Sequence, residues 1–161
     1  MQSTDMTQQA LQGLIQAGEG YLVEFKRNVN ADISREFVAF ANSSGGKIFV
    51  GIDDDGAIPG VVHTNELKAR VQSIARDCDP PVSVEVEAFS NILIIHVPEG
   101  TNKPYRCSNG FYIRSGAASA KLSTQEIIEF IKSEAKLRFD ELIMPSVAYP
   151  AALDESAEPG I

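Results

Sequence analysis

The sequence predicts an α+β fold with a mixed β-sheet of about five to seven strands and about three helices. Its first half has a strand, a helix and a second strand in order, and its second half has two consecutive β-hairpin patterns. Because the hairpins follow one another without a helix between them, a regular βαβ repeat is excluded. We assign residues 1–17 to an N-terminal helix, residues 18–140 to the folded domain and residues 141–161 to a flexible acidic tail or linker.

The first half of the chain is expected to hold two strands around one helix. Apolar residues at helical spacing predict a short helix within residues 1–17, and alternation over residues 21–27 predicts a strand. The next helix ends at a pair of glycines, and its apolar face consists of Ile33, Phe37, Phe40 and Ala41. Residues 47–52 form a second strand in this prediction, and the acids and glycine of residues 53–56 form a turn.

The second half is expected to begin with a short strand over residues 57–62 and a helix capped by Thr64. Two hairpins follow, and they pair residues 82–88 with 91–97 and residues 103–107 with 111–114. Ser123 and Glu126 have the spacing of a capping box, which predicts the start of a last helix. We expect this helix to turn its apolar side inward, with Ile127, Ile128, Phe130 and Ile131.

Composition limits the function classes. The chain of 161 residues with 43% hydrophobic residues suits one domain with a real core, and no apolar run reaches the length of a membrane span. The N-terminus lacks the basic-then-apolar order of a signal peptide, and the two cysteines form no CxxC pair, so we expect a cytoplasmic protein with reduced thiols. Gly45 and Gly46 are not followed by the Lys-Ser or Lys-Thr of a phosphate loop, so ATP binding is not expected.

The net charge of −8 opposes nucleic-acid binding, because phosphate affinity comes from clustered Lys and Arg. Part of this charge lies at the C-terminal end, where residues 134–161 hold six acids and two bases. Any nucleic-acid surface must therefore be a local basic patch. The candidate phosphate contacts are Lys26, Arg27, Lys103, Arg106, Arg114 and Lys121, and the alternative is ordinary surface charge.

Arg114 leads these candidates because it follows an aromatic strand and precedes Ser115 and Gly116, whose backbone amides could also face a phosphate. The neighbouring aromatic residues could stack on bases, although at least one should belong to the core; they are Tyr105, Phe111 and Tyr112.

Acidic residues form a second candidate site. Glu19 and Glu24 are five residues apart, and Asp53, Asp54 and Asp55 follow the second predicted strand. If the two strands pair, these carboxylates could converge, and oxygen-rich clusters hold Mg²⁺ or Mn²⁺. The alternative is a pair of surface acids and an ordinary hairpin turn.

The order of four motifs resembles the Schlafen-type AlbA domain family from residue 19 to about residue 132. The matching segments are Glu19 with Glu24-Phe25-Lys26, residues 39–54 with their Gly-Gly pair, residues 103–105, and residues 111–116. The resemblance implies association with DNA or RNA, often in transcriptional regulators. In some members it implies a metal-dependent endoribonuclease, whose three acids match Glu19, Glu24 and Asp54.

We therefore expect a nucleic-acid-binding domain related to transcriptional regulators. Two alternatives remain open: a ribonuclease that uses Mg²⁺ or Mn²⁺ at Glu19, Glu24 and Asp54, and a non-catalytic oligomerisation or interaction module. The resemblance also implies that nucleases of this kind use two lobes around RNA, and a homodimer could replace the second lobe here.

Overall fold

The computed structural model describes residues 6–62 and 64–143. The predicted tail over residues 141–161 lies outside the described residues except for its first three, and those three belong to the last helix. The chain divides into two compact units, Met1–Leu122 and Ser123–Ile161. The predicted α+β class is confirmed, with seven strands and four α-helices among the described residues.

The first sheet has four strands in the order β1-β2-β4-β3: Val23–Lys26, Gly46–Val50, Ile92–Val97 and Glu85–Phe89. β1 and β2 run parallel, with Glu24 opposite Ile48 and Lys26 opposite Val50. The other pairs are antiparallel. This topology places β1 at one edge of the sheet, where it pairs with β2 on one side only.

Three α-helices belong to this unit: α1 (Gln8–Ala17), α2 (Ser34–Asn42) and α3 (Asn65–Arg76). The Thr64 hydroxyl accepts a hydrogen bond from the Leu67 amide, as predicted for the cap of α3, and Thr7 caps α1 in the same way. A single turn of 3₁₀ helix precedes α2 at Ala31–Ile33.

The first sheet is covered on both faces, which explains the mostly apolar residues of its two central strands, β2 and β4. Successive residues of β2 point to opposite sides, so Ile48 and Val50 join a core with α2 and α3 while Phe49 joins a core with α1. These three side chains are fully buried, so β2 contributes to both cores.

A second sheet of three strands lies on the other side of α2, in the order β5-β6-β7: Arg106–Cys107, Gly110–Ser115 and Ala118–Lys121. α2 packs against all three of these strands and also against β4 of the first sheet. The seven strands agree with the predicted number of about five to seven, and they are divided between two sheets around α2. The sequence prediction also missed β7, because residues 118–121 are small and polar rather than apolar.

Residues 57–62 form no strand, contrary to the prediction. The Gly60 amide donates to Gly51 and the Val61 amide donates to Asn91, so the segment divides its hydrogen bonds between two neighbours instead of forming one ladder. Pro59, which has no amide hydrogen, interrupts it further.

The second unit contains α4, Thr124–Ile143, and Ser123 and Glu126 form the predicted capping box with bonds of 2.8 and 3.2 Å. The predicted inward face of this helix is wrong for Ile128 and Ile131, which are 42% and 45% exposed. α4 is the whole described secondary structure of its unit, so that unit offers no second element to cover the helix.

None of the helices in the described ranges has both the length and the apolar character required to cross a bilayer.

Candidate nucleic-acid interface

Arg114, the leading sequence candidate for phosphate binding, lies inside the first unit with its side chain 0% exposed. An arginine has five N–H donors, and here all of them are used. Nη1 donates to the Glu24 carboxylate at 2.8 Å and the Ser119 hydroxyl at 3.0 Å, Nη2 donates to the carbonyls of Gly20 and Val23, and Nε donates to that of Tyr21. No donor is left for a phosphate, so the structure corrects this prediction.

Arg114 instead connects three parts of the first unit. Its guanidinium lies 4.5 Å from the centre of the Phe40 ring on α2, a distance at which a cation and an aromatic face attract each other. Its hydrogen bonds reach the segment that leads into β1. The side chain therefore fixes the edge strand of the first sheet against α2 and β6.

Glu24 lies next to Arg114 with only 12% of its side chain exposed. Burial raises the pKa of Glu24 to about 7, and the hydrogen bond from Arg114 opposes this rise. The neighbouring carboxylates of Glu19 and Glu36 raise the pKa further, and Lys26 lowers it. Glu24 is thus protonated in part of the molecules near neutral pH, although Arg114 and Lys26 are close to it.

Glu36 is a buried acid that our sequence reasoning missed. Its carboxylate lies 3.2 Å from the Lys26 ammonium, which also lies 3.8 Å from Glu24. The signal was present in the sequence, because Glu36 is three residues after Ile33 and four before Phe40 and so shares their inward helical face. Lys26 is consequently held between two carboxylates rather than presented to a ligand.

The predicted three-carboxylate metal site is not assembled. Glu19 does approach Glu24, and one Glu19 oxygen accepts a hydrogen bond from the Phe25 amide at 2.9 Å. Asp54 lies in the turn beyond β2, whereas Glu24 pairs with Ile48 in the middle of that strand. Within the described ranges, no three His, Cys, Asp or Glu residues form a group that could hold a metal ion, so these residues do not fit Mg²⁺ or Mn²⁺.

Replacing Glu24 with glutamine should change how stability depends on pH. The folded-state pKa of about 7 exceeds the ordinary value of 4.5, so the proton on Glu24 stabilises the fold below pH 4.5 and this contribution is lost as the pH rises through 7. We expect the free energy of unfolding of the wild type to fall, relative to Glu24→Gln, by about 2 to 3 kcal/mol between pH 4.5 and 8.

Urea unfolding at several pH values measures this difference. Glu85→Gln, which removes the same charge from an exposed side chain, serves as the control and should parallel the wild type. If the curves of wild type and Glu24→Gln run parallel across this range, Glu24 does not titrate as we infer.

Most of the remaining cationic candidates have acidic partners. Arg27 lies 3.1 Å from Asp53, and the Lys103 ammonium lies 2.7 Å from Glu99 with only 14% of the side chain exposed. Arg106 is 48% exposed, and its partner Asp79 is 3.9 Å away and 77% exposed. Lys121 is exposed and has no ion-pair partner in the described part of the chain. The Arg27 side chain is the more exposed of the two arginines, at 62%, but its ion pair is shorter than that of Arg106. Arg106, with its long ion pair, and Lys121 are therefore the candidates that are least engaged by acids among the described residues.

The three aromatic candidates divide between core and surface. Tyr105 and Tyr112 are 5% and 7% exposed, and the Tyr105 hydroxyl accepts a hydrogen bond from the Asn102 amide, so neither can stack on a base. Phe111 is half-buried and lies directly opposite Arg106 in the β5–β6 pair. Side chains of opposite residues point to the same face of a sheet.

Phe111 and Ile113 alternate with the inward-facing Tyr112 and Arg114, so they lie on the face of the second sheet that points away from α2. We call Arg106, Phe111 and Ile113 the outer hairpin face. It combines a partly free cation, an aromatic ring and an aliphatic side chain, and it brings together two residues that the sequence predicted for nucleic-acid contact.

Arg35 is a further cation that the sequence reasoning did not identify. It lies 6.0 Å from the centre of the Tyr112 ring and 3.6 Å from Asp32. Its Nε is buried and has no hydrogen-bond partner among the described residues. No sequence signal distinguished it, because an arginine near the start of a helix is common.

Comparison with known proteins agrees with this architecture. The DIP2311 protein from Corynebacterium diphtheriae superposes with a TM-score of 0.53 at 17% identity, over 81% of this chain and 28% of that one. This chain thus corresponds to less than a third of that protein, and the likeness concerns the fold alone. The N-terminal domain of an ATP-dependent DNA helicase RecG-related protein from Nitrosomonas europaea is 21% identical over 71% of this chain and 87% of that one, with a TM-score of 0.49.

The family described as Schlafen, AlbA_2 matches residues 19–123, which is more than half of the chain. The match begins at Glu19 and ends just before α4, so it covers both sheets, α2 and α3. The resemblance inferred from the motifs is confirmed, and the chain belongs to the Schlafen, AlbA_2 family.

Proposed function

We propose that this domain binds single-stranded nucleic acid through the outer hairpin face. Membership of the Schlafen, AlbA_2 family is compatible with a role connected to nucleic acids. The observation that carries the proposal is the placement of the exposed Arg106 beside the half-buried ring of Phe111, on the sheet face that points away from α2. An aromatic ring next to a cation can stack on a base while the cation contacts the adjoining phosphate.

Charge supports this surface over the other basic candidates. An exposed ion pair contributes little and exchanges its partner readily, so the long Arg106–Asp79 contact leaves Arg106 able to bind a phosphate. Lys121 lies opposite Tyr112 in the β6–β7 pair, so its side chain points to the other face of the second sheet and does not belong to this surface. Lys26 is held by two carboxylates, and a phosphate placed there would face the repulsion of Glu24 and Glu36.

The proposal favours single strands over duplexes. Stacking requires an unpaired base whose face is free, whereas duplex binding relies on a broad cationic surface that a chain of net charge −8 does not offer. In a transcriptional regulator such a domain would hold an unpaired or melted segment. We do not propose RNA cleavage, because Glu19, Glu24 and Asp54 do not form a ligand set.

Truncation of Phe111 is expected to weaken binding strongly. Loss of one stacked base corresponds to about 1–3 kcal/mol, so Phe111→Ala should reduce affinity roughly 5- to 150-fold. Arg106→Ala should reduce affinity less but lower the slope of log K against log salt by about 0.7, as one phosphate contact to a single strand is lost. Fluorescence anisotropy with labelled single-stranded RNA and DNA at several salt concentrations measures both effects.

Arg70→Ala is the matched control, because it removes one positive charge from an exposed position on α3. It should leave the salt slope unchanged, and circular dichroism should confirm that all variants are folded. The proposal fails if no single strand binds, or if Phe111→Ala and Arg70→Ala reduce affinity equally. Tighter binding to duplex DNA than to single strands would contradict the stacking mode.

A further inference from the structure

The two cysteines lie on neighbouring segments of the first unit. Asp79 and Arg106 form an isolated antiparallel bridge, in which each amide donates to the carbonyl of the other residue at 2.8 Å. In an antiparallel pair, the residues next to such a doubly bonded pair face each other without backbone hydrogen bonds. The residue before Asp79 is Cys78 and the residue after Arg106 is Cys107, so the register of this bridge places the two cysteines next to each other, and Cys107 is close enough to affect the Cys78 thiol electrostatically.

This arrangement suits a covalent link. Residues opposite each other at a non-hydrogen-bonded position have Cα atoms about 4.5 Å apart, and disulfides span Cα distances of roughly 4.4–6.8 Å. Both cysteines are free, both are 4% exposed, and both belong to the same core. At present each thiol makes its own weak hydrogen bond at 3.6 Å, that of Cys78 to Ile74 and that of Cys107 to Gly110.

The environment protects the thiols in the native state. Burial raises the pKa of the Cys78 thiol to about 12, and the neighbouring Cys107 and Asp77 raise it further. The thiolate is the species that attacks a disulfide, so the reaction from the closed fold is slow. This protection governs the rate of cross-linking and not its equilibrium.

We propose that Cys78 and Cys107 form a redox-sensitive pair, which thiol–disulfide exchange with a small disulfide such as oxidised glutathione converts into an intramolecular disulfide. One cysteine thiolate attacks the glutathione disulfide and releases one glutathione, which gives a mixed disulfide. The thiolate of the second cysteine then attacks the protein sulfur of this mixed disulfide and releases the other glutathione as a thiol. The two protein thiols are oxidised, and one glutathione disulfide is reduced to two thiols.

The link would join the end of α3 to β5. Because Arg106 adjoins Cys107, oxidation would also fix the strand that carries part of the outer hairpin face. Closing the loop from residue 78 to residue 107 restricts the unfolded chain, so the midpoint of thermal unfolding should rise by roughly 10 °C. Formation of this disulfide does not depend on nucleic-acid binding.

The experiment uses the full chain incubated with oxidised glutathione, without urea and at a urea concentration just below the unfolding transition. Intact mass, alkylation of free thiols after denaturation and peptide mapping identify the product. We expect a monomer that has lost two hydrogens and has no free thiol, formed at least tenfold faster in urea because opening exposes the thiols. The oxidised protein should show the raised midpoint, and a reductant should reverse it.

Cys78→Ala and Cys107→Ala are the controls and should give only mixed disulfides with glutathione. If either variant fails to fold, the mass, the thiol count and the peptide map of the wild-type protein still decide the question. Two free thiols, two glutathione adducts or an intermolecular dimer as the main wild-type product after oxidation in urea would overturn the proposal.

Discussion

Arg114→Met is expected to lower the free energy of unfolding by about 3–5 kcal/mol, because removing one partner of a buried ion pair leaves the other without compensation. The change removes every hydrogen bond of a side chain that is 0% exposed, and it leaves Glu24 facing Glu19 and Glu36. The carbonyls of Gly20, Tyr21 and Val23, at the start of β1, also lose a hydrogen bond from this side chain. The loss should be smaller near pH 5, where a protonated Glu24 carries no charge to compensate.

Urea unfolding at pH 7.5 and pH 5 tests this expectation. Arg70→Met makes the same substitution on an exposed position of α3 and should change stability by less than about 0.5 kcal/mol. The double variant Glu24→Gln/Arg114→Met should be less destabilised than the sum of its two single variants, because the unpaired charge is absent. An Arg114→Met protein as stable as the Arg70→Met protein would show that Arg114 does not hold β1.

The second large effect is expected for Asn42→Ala, with a loss of about 3 kcal/mol. Asn42 is 4% exposed at the end of α2, and its side-chain amide makes three hydrogen bonds to the backbone of the second sheet. It donates to the carbonyls of Tyr105 and Tyr112 and accepts from the Tyr105 amide, at 2.7 to 2.9 Å. Truncation leaves these three buried groups unpaired.

Asn65→Ala is the matched control, since Asn65 is exposed at the first position of α3 and alanine is a good helix former. Chemical denaturation should separate the two variants by at least about 2 kcal/mol. Amide hydrogen exchange adds a local measurement, because β5 and β6 should lose protection in Asn42→Ala before the first sheet does. Equal stability of both variants would mean that α2 holds the second sheet by apolar packing alone.

Arg114 and Asn42 show why motif residues near a candidate site can be structural. Both lie in segments that carry the family resemblance, and both connect α2 or β1 to the second sheet. The polar groups at this junction satisfy one another, since a buried donor or acceptor without a partner is costly. A binding surface must then be sought where donors remain accessible, which is why Arg106 takes the place of Arg114 in our proposal.

The sequence predicted the strand–helix–strand order, both hairpins and the cap residues, because these features depend on local spacing. It also predicted that Phe37 and Phe40 would face the core, and both are 0% exposed. It failed where the outcome depended on which segments meet. β7 lacks an apolar pattern and forms a strand because it pairs with β6. Residues 57–62 form no strand because they divide their hydrogen bonds between two partners.

The amino-acid pattern by itself determined the α+β class, the family and the set of ionisable residues near β1. Only the tertiary structure decided what each of them does, because burial and charge depend on contacts between residues far apart in the chain. Arg114 is ninety positions after Glu24 in the chain and forms a buried ion pair with it. Arg106 and Phe111, in contrast, lie on the same face of the second sheet, which points away from α2. Asp54 lies apart from Glu24, because Glu24 pairs with Ile48 in the middle of β2 and Asp54 follows the end of that strand. The periodicity of a single segment contains no information about the distance between these two residues.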